Sequence, residues 1–259
     1  MRSLAICLVL SGFVAFSPPS WAGSEQGGAC GAPDDLVTTD APLAQFAAAV
    51  SAGGPVNVLA VGSATTVGSM SVGGEQARVS SQNGAFPWQM VQALHAALPS
   101  VEFRLTVRGG RGMTAEDMLP LLQEALKAQR YPLVIWQTGT VEAVRGLRPD
   151  GMLDILHDGA QQVREAGGDL VLIDPQFSRF LRANTDLDPY EGVMLQVATM
   201  PGVALFHRFE LMRAWANDGR IDLERTQKAD RDKALDSLNK CLGRALARFV
   251  LSGADVQKK

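Results

Sequence analysis

The chain has 259 residues, a formal net charge of −3 and 6% aromatic residues. That length suits one large core or, less often, two smaller ones. The near-balanced charge, with no basic stripe, argues against nucleic acid as a partner, and the few aromatics argue against a broad aromatic platform for sugars, though not against a small sugar site.

Arg2 precedes an apolar run over residues 5–16, the length of a secretory h-region and too short to span a bilayer. Ser20-Trp21-Ala22 then places small residues at the two cleavage-determining positions. The expected product is a soluble exported protein cleaved after Ala22, periplasmic or secreted, with an N-terminal extension over 23–55 and one domain over 56–252. No later stretch reads as a membrane helix, and Cys7 has no lipobox ahead of a cleavage point. Two cysteines then remain, Cys30 and Cys241. In an oxidising compartment an isolated pair reads as one disulfide, the alternative being two unrelated buried thiols. Closing so long a loop stabilises by roughly 4–5 kcal/mol in the chain-entropy model, less any strain.

Apolar strands are predicted over 56–61, 101–107, 133–137, 170–173 and 203–206. Between them the three- and four-residue spacing of apolar positions predicts helices over 87–98, 114–128 (with Thr114 as N-cap), 152–166, 189–200 and 209–216, and a closing helix over 230–251. Gly167-Gly168 ends one helix and Asp174-Pro175 stops one strand. The stretch 68–84, rich in Gly and Ser, reads as a loop. Five apolar strands alternating with helices predict a parallel sheet covered on both faces, a three-layer α/β/α sandwich. Its ligands are expected beyond the carboxyl ends of the strands, where the turns at Gly62, Gly109 and Gly139 fall. There is no internal repeat.

The turn residues carry more. Val58 to Val61 run into Gly62-Ser63-Ala64-Thr65-Thr66. Together with 107–119, Val134-Ile135-Trp136-Gln137-Thr138-Gly139-Thr140, Ile173-Asp174-Pro175-Gln176, 205–215 and Cys241-Leu242-Gly243-Arg244-Ala245-Leu246-Ala247, this resembles the SGNH, or GDSL-type, hydrolase family. The likeness is closest to an exported bacterial branch whose first block reads Gly-Ser-Ser-Ser-Thr, and it spans about 57–251. The resemblance implies a five-stranded flavodoxin-like sheet and cleavage of esters, often acetyl esters on carbohydrates or lipid acyl chains. It places the nucleophile slot on Ala64, the oxyanion glycine on Gly112, the oxyanion asparagine slot on Val141, and the Asp-x-x-His pair on Asp230 and Lys233. Only the glycine and the acid are kept, and no histidine follows His207.

Acyl transfer by this route needs an activated hydroxyl, a base near neutral pKa and donors aimed at the developing oxyanion. Losing one oxyanion donor alone costs about 100- to 1000-fold in other serine hydrolases. The reading is therefore a catalytically inactive member that binds an acylated polysaccharide or an envelope protein. The alternative is an active carbohydrate or lipid esterase with a rearranged site built on Ser63, Lys233 and Asp230, since Ser–Lys dyads exist. Against it, a one-residue shift at a strand end turns the side chain to the other face. A third reading is a structural interaction protein whose cleft has closed.

Glu142, beside the empty asparagine slot, is a cleft candidate or a solvated carboxylate. Arg108 and Arg111 are candidates to hold an anionic ligand near the retained glycines, or else solvated loop residues. His207 reads as structural at a helix start, and His95 and His157 as surface or packing residues. Three histidines this far apart give no metal-ligand spacing. Gly109, Gly110 and Gly112 follow the second strand, not the first, which argues against a dinucleotide loop. No metal or cofactor is expected.

Overall fold

The computed structural model describes residue 28 and residues 30–68 and 84–255. The expected leader, with its cleavage site and Cys7, lies outside the described residues, as does most of the 68–84 stretch. Helix α1 (Ala44–Ala52) leads into β1 (Val56–Gly62) and the single turn α2 (Ala64–Val67). Next come α3 (Phe86–Ala97), β2 (Phe103–Gly109), α4 (Ala115–Ala128), β3 (Leu133–Gln137), α5 (Thr140–Arg145) and α6 (Pro149–Glu165). The chain continues through β4 (Asp169–Ile173), α7 (Arg179–Asn184), α8 (Asp188–Val197), β5 (Val203–Phe206), α9 (Arg208–Asn217) and α10 (Arg231–Gly253).

The five strands are all parallel in the order β2-β1-β3-β4-β5. Successive residues point to opposite faces; β1, β3, β4 and β5 are covered on both and read as largely apolar runs, whereas the edge strand β2 is only partly buried and alternates. Val58, Ala60, Ile135, Val171 and Phe206 pack toward α1, α3 and α10, whereas Leu59, Val61, Trp136, Leu172 and Leu205 pack toward α4, α6 and α8. This is the expected α/β/α sandwich. The strand order reverses between β1 and β3, and ligand sites in such sheets form at the carboxyl ends of the strands flanking that point. There Gly109, at φ +127°, crosses so close to Gly62 that a Cβ would lie 1.9 Å from the Gly62 carbonyl oxygen. Only glycine lets the two strand ends meet in this way.

Helix boundaries fall within a few residues of those predicted. Thr114 caps α4 as expected: its hydroxyl accepts from Asp117 N–H, and the Asp117 carboxylate answers to Thr114 N–H. Helix α1 was not predicted, because Ala-Gln-Phe-Ala-Ala-Ala-Val-Ser-Ala carries no clear apolar stripe. The segment expected as an extension therefore contributes to the core. Phe46 is fully buried and donates its N–H to Asp169 Oδ2 at 2.9 Å, and burial holds that carboxyl above the usual range. The Cys30–Cys241 disulfide, with Cα atoms 4.9 Å apart, ties the start of the described chain to α10. Trp215 Nε1 adds a 2.8 Å bond to Gly31 O. Among the described residues no helix is long and apolar enough to cross a membrane.

Candidate functional site

At the reversal point, β1 and β3 end side by side on Ser63 and Gln137. Gln137 is fully buried, and its Oε1 accepts from Ser63 N (3.3 Å), Ser63 Oγ (3.1 Å), Thr65 Oγ1 (3.3 Å) and Thr66 Oγ1 (3.1 Å). An amide oxygen has two lone pairs, so these donors share it. The Ser63 hydroxyl is thus turned toward Gln137, and the residue as a whole is buried at 8% exposure. Ala64 follows as the first residue of α2. Lys233 and Asp230 lie exposed at the start of α10, and among the described residues the hydrogen bonds of the Ser63 hydroxyl and N–H go to Gln137, not to either of them.

Gly112 sits at φ +76°, a conformation glycine adopts without strain, and a Cβ there would stand 3.4 Å from Arg145 Nη2. Val141 occupies the first turn of α5. Arg145, one helical turn beyond it, therefore brings a guanidinium beside the glycine. This donor was missed in the sequence, although the i, i+4 spacing from Val141 was there to read. Arg108 and Arg111 are both exposed, and Arg108 donates to its own neighbour's carbonyl, Val107 O, at 3.1 Å.

Glu142 is corrected as a cleft candidate and as a solvated carboxylate alike. It is 3% exposed and fully engaged, accepting from Ala115 N (2.5 Å), Thr138 Oγ1 (2.7 Å) and Gly139 N (2.9 Å). It joins the head of α4 to the end of β3 and the head of α5, satisfying N–H groups that helix starts leave open.

The other end of the same edge is ionic. Asp174 follows β4 and His207 follows β5, and His207 Nδ1 lies 3.5 Å from Asp174 Oδ2. Asp174 Oδ1 accepts from Phe209 N–H at 2.8 Å. Burial pushes the Asp174 carboxyl up against the pull of His207, Phe209 N–H and Arg208. The bond to Asp174 holds the His207 imidazole above its usual value, against its own desolvation. Arg208 is buried at 2% exposure; its Nη1 donates to Thr65 Oγ1 at 3.2 Å and its Nε has no partner. Burial lowers its guanidinium to about 10, with Asp174 opposing. On α8, burial and then the charges of Asp174, Asp188 and Glu210 raise the Glu191 carboxyl to about 7.

A cleft of about 550 Å³ opens here, lined among others by Arg182, Asp188, Glu191, Phe209, Glu210 and Arg213. A second, of about 420 Å³, shares Arg182 and Arg213 and adds Phe177, Arg179 and Asn217. Arg213 pairs with Glu210, and Arg179 with Asp222 at 2.8 Å. Neither cleft is lined by Ala64 or Gly112. His207 stands at the head of α9, as expected, and also pairs with Asp174. The signal was an ionisable residue directly after each of two consecutive apolar runs, but their pairing required knowing that β4 and β5 are neighbours. His95 faces Val101 O at 3.3 Å and His157 is exposed. Among the described residues no cluster of His, Cys, Asp or Glu is arranged to hold a metal ion.

The fold has solved counterparts. TesA superposes with a TM-score of 0.52 at 19% identity, over 72% of this chain and 97% of its own. AlinE4, an SGNH-hydrolase family esterase, gives 0.51 at 19%, over 68% and 85%. A two-domain esterase active on acetylated mannans gives 0.55 at 12%, over 76% of this chain and 51% of that one. A search of curated proteins finds no match. The model of the non-GDSL lipase-like family matches residues 29–256. That span takes in the whole sheet and both ends of its carboxyl edge, and the chain belongs to this SGNH-type family.

Proposed function

We propose that this is an exported SGNH-family protein that no longer uses the family's serine chemistry and acts by binding an acylated glycan or an envelope partner. The observation that carries the reading is the turn after β1. Ala64 stands in the slot that the family resemblance assigns to the nucleophile, and the neighbouring hydroxyl, Ser63 Oγ, is committed to buried Gln137 at 3.1 Å. Val141 and Lys233 in the asparagine and histidine slots support the same reading, since covalent acyl transfer needs nucleophile, base and oxyanion donors together. Export is supported by the apolar N-terminal run with small residues at 20 and 22, and by the Cys30–Cys241 disulfide, which suits an oxidising compartment. One neighbour in fold acts on acetylated mannans, so an acylated glycan is the ligand class to try first.

The test has two arms. A serine-directed phosphonate is expected to leave no adduct by intact-mass measurement, and titration with acetylated and deacetylated envelope polysaccharides is expected to show saturable binding. A stoichiometric adduct on Ser63 would replace this reading with an esterase using Ser63, Lys233 and Asp230. Absence of any glycan binding would remove the ligand class.

A further inference from the structure

The two clefts at the β4–β5 end adjoin, sharing Arg182, Ala183 and Arg213, and they differ in charge. The smaller is walled by Phe177, Arg179, Arg182, Arg213 and Asn217, and none of the described residues lining it is acidic. The larger adds Asp186, Asp188, Glu191 and Glu210 to the shared arginines. The groove is therefore cationic at one end and acidic at the other. It stands apart from the slots that the resemblance assigns, since neither Ala64 nor Gly112 lines it.

The arginine end is preorganised for an anion. Arg179 is fixed in place: its Nη1 donates to both oxygens of Asp222, at 3.0 and 2.8 Å, and its guanidinium lies 5.7 Å from the centre of the Phe177 ring. Phe177 in turn meets Phe209 edge to face at 5.4 Å. A guanidinium carries five N–H donors, so Nε and Nη2 of Arg179 remain for a ligand. Arg213 uses Nη2 on Glu210. Arg182 is exposed, and its guanidinium makes no hydrogen bond or ion pair among the described residues. Such planar donors match a carboxylate through paired bonds. At the acidic end the neighbours of Glu191 are carboxylates, Asp188 and Glu210 in the cleft and Asp174 beyond it, and their charges oppose its ionisation. A cation placed among them would relieve that repulsion.

We propose that this groove binds a short peptide of two or three residues with both ends free, its C-terminal carboxylate on the arginines and its N-terminal ammonium among Asp188, Glu191 and Glu210. A purely anionic ligand would meet the carboxylates of the larger cleft, and a purely cationic one would meet the arginines, so a dipolar ligand fits the whole groove best. Size sets the length. Volumes of 420 and 550 Å³ correspond to spheres about 9–10 Å across, and an extended chain reaches about 3.5 Å per residue. Two or three residues thus carry the charged ends from one cleft into the next, whereas a single amino acid holds its charges too close together. The site goes beyond the proposed function, whose ligand is an acylated glycan or an envelope partner.

The test titrates the disulfide-bonded protein by calorimetry with trialanine, its N-acetyl form, its C-terminal amide and glucuronate. Trialanine is expected to bind one to one, and either blocked form about 10-fold more weakly, since each loses one charge-assisted contact. Arg182→Ala is expected to weaken trialanine about 10-fold and leave the amide unchanged. Glu191→Gln is expected to weaken trialanine and leave the N-acetyl form unchanged. The proposal is overturned if trialanine shows no saturable binding, if either blocked form binds as tightly as the free peptide, or if glucuronate binds as tightly as trialanine. The ligand series on the wild type decides this even where a variant fails to fold. No glycan polymer enters the titration, so its failure leaves the glycan reading standing, and failure of that reading leaves this one.

Discussion

The two ends of the sheet's carboxyl edge are held by different physics. At the β1–β3 end, where the family resemblance places the catalytic serine, the contacts are neutral. One buried amide oxygen gathers a backbone N–H and three hydroxyls, and Ala64 stands among them in the chain. At the β4–β5 end the contacts are ionic, with a buried guanidinium, a buried carboxylate, a half-exposed imidazole and a carboxyl raised to about 7. Neutral hydrogen bonds satisfy the end of β1 at little electrostatic cost, while buried Glu142, just beyond β3, is satisfied by three donors. Buried charges are expensive unless paired, and a fold that keeps them keeps titratable chemistry with them. Arg208 joins the two ends through Thr65 Oγ1.

The strongest way to break the contrast is Arg208→Met. Removing the guanidinium takes away its bond to Thr65 and a nearby charge that favours ionised Asp174, and thermal or urea unfolding should show a loss of about 3 kcal/mol. A change under 1 kcal/mol would mean the ionic end is not held by Arg208. Glu142→Ala deletes the acceptor of three donors at the heads of α4 and α5, with an expected loss of about 3 kcal/mol in urea unfolding. Gln137→Leu should cost about 2 kcal/mol, less because the freed hydroxyls can rotate to other acceptors. It should not alter titration at the far end, which the NMR shift of His207 would report.

The smallest expected effect concerns pH. Glu191 has a folded pKa above its unfolded one, so the native state carries a charging cost that is absent below the usual carboxylate range and complete above about 7. Asp174 shifts in the same direction. His207 is also raised, so its stabilising charge is present at acid pH and lost as pH rises through its folded value. Glu191 and His207 make the protein less stable at pH 8 than at pH 5.5. Glu191→Gln removes one part of that slope. The site is half-exposed, so solvent screening limits the gain to about 1 kcal/mol at pH 8, with none at pH 4. Equal Tm changes at both pH values would contradict the assignment.

Much of the fold was legible because burial on both faces leaves a direct mark: 133–137 and 203–206 are continuous apolar runs, and their boundaries agree with the strands. Helix α1 was not legible, because its alanines pack without an amphipathic stripe. The slots at Ala64, Val141 and Lys233 were assigned by the family resemblance, whose motifs are short and local in the chain.

Local order thus determined the strands, the main helices and the absence of a serine in the slot the resemblance assigns. Tertiary structure alone decided where the charged groups meet. Asp174 and His207 are 33 positions apart and Thr65 and Arg208 are 143 apart, and each pair comes together only because the strand order brings their strand ends to one edge. Glu142 shows the converse. Its place beside the asparagine slot suggested an open cleft, but the fold turned it inward, because one N–H at the head of α4 and an O–H and an N–H in the turn after β3 needed an acceptor.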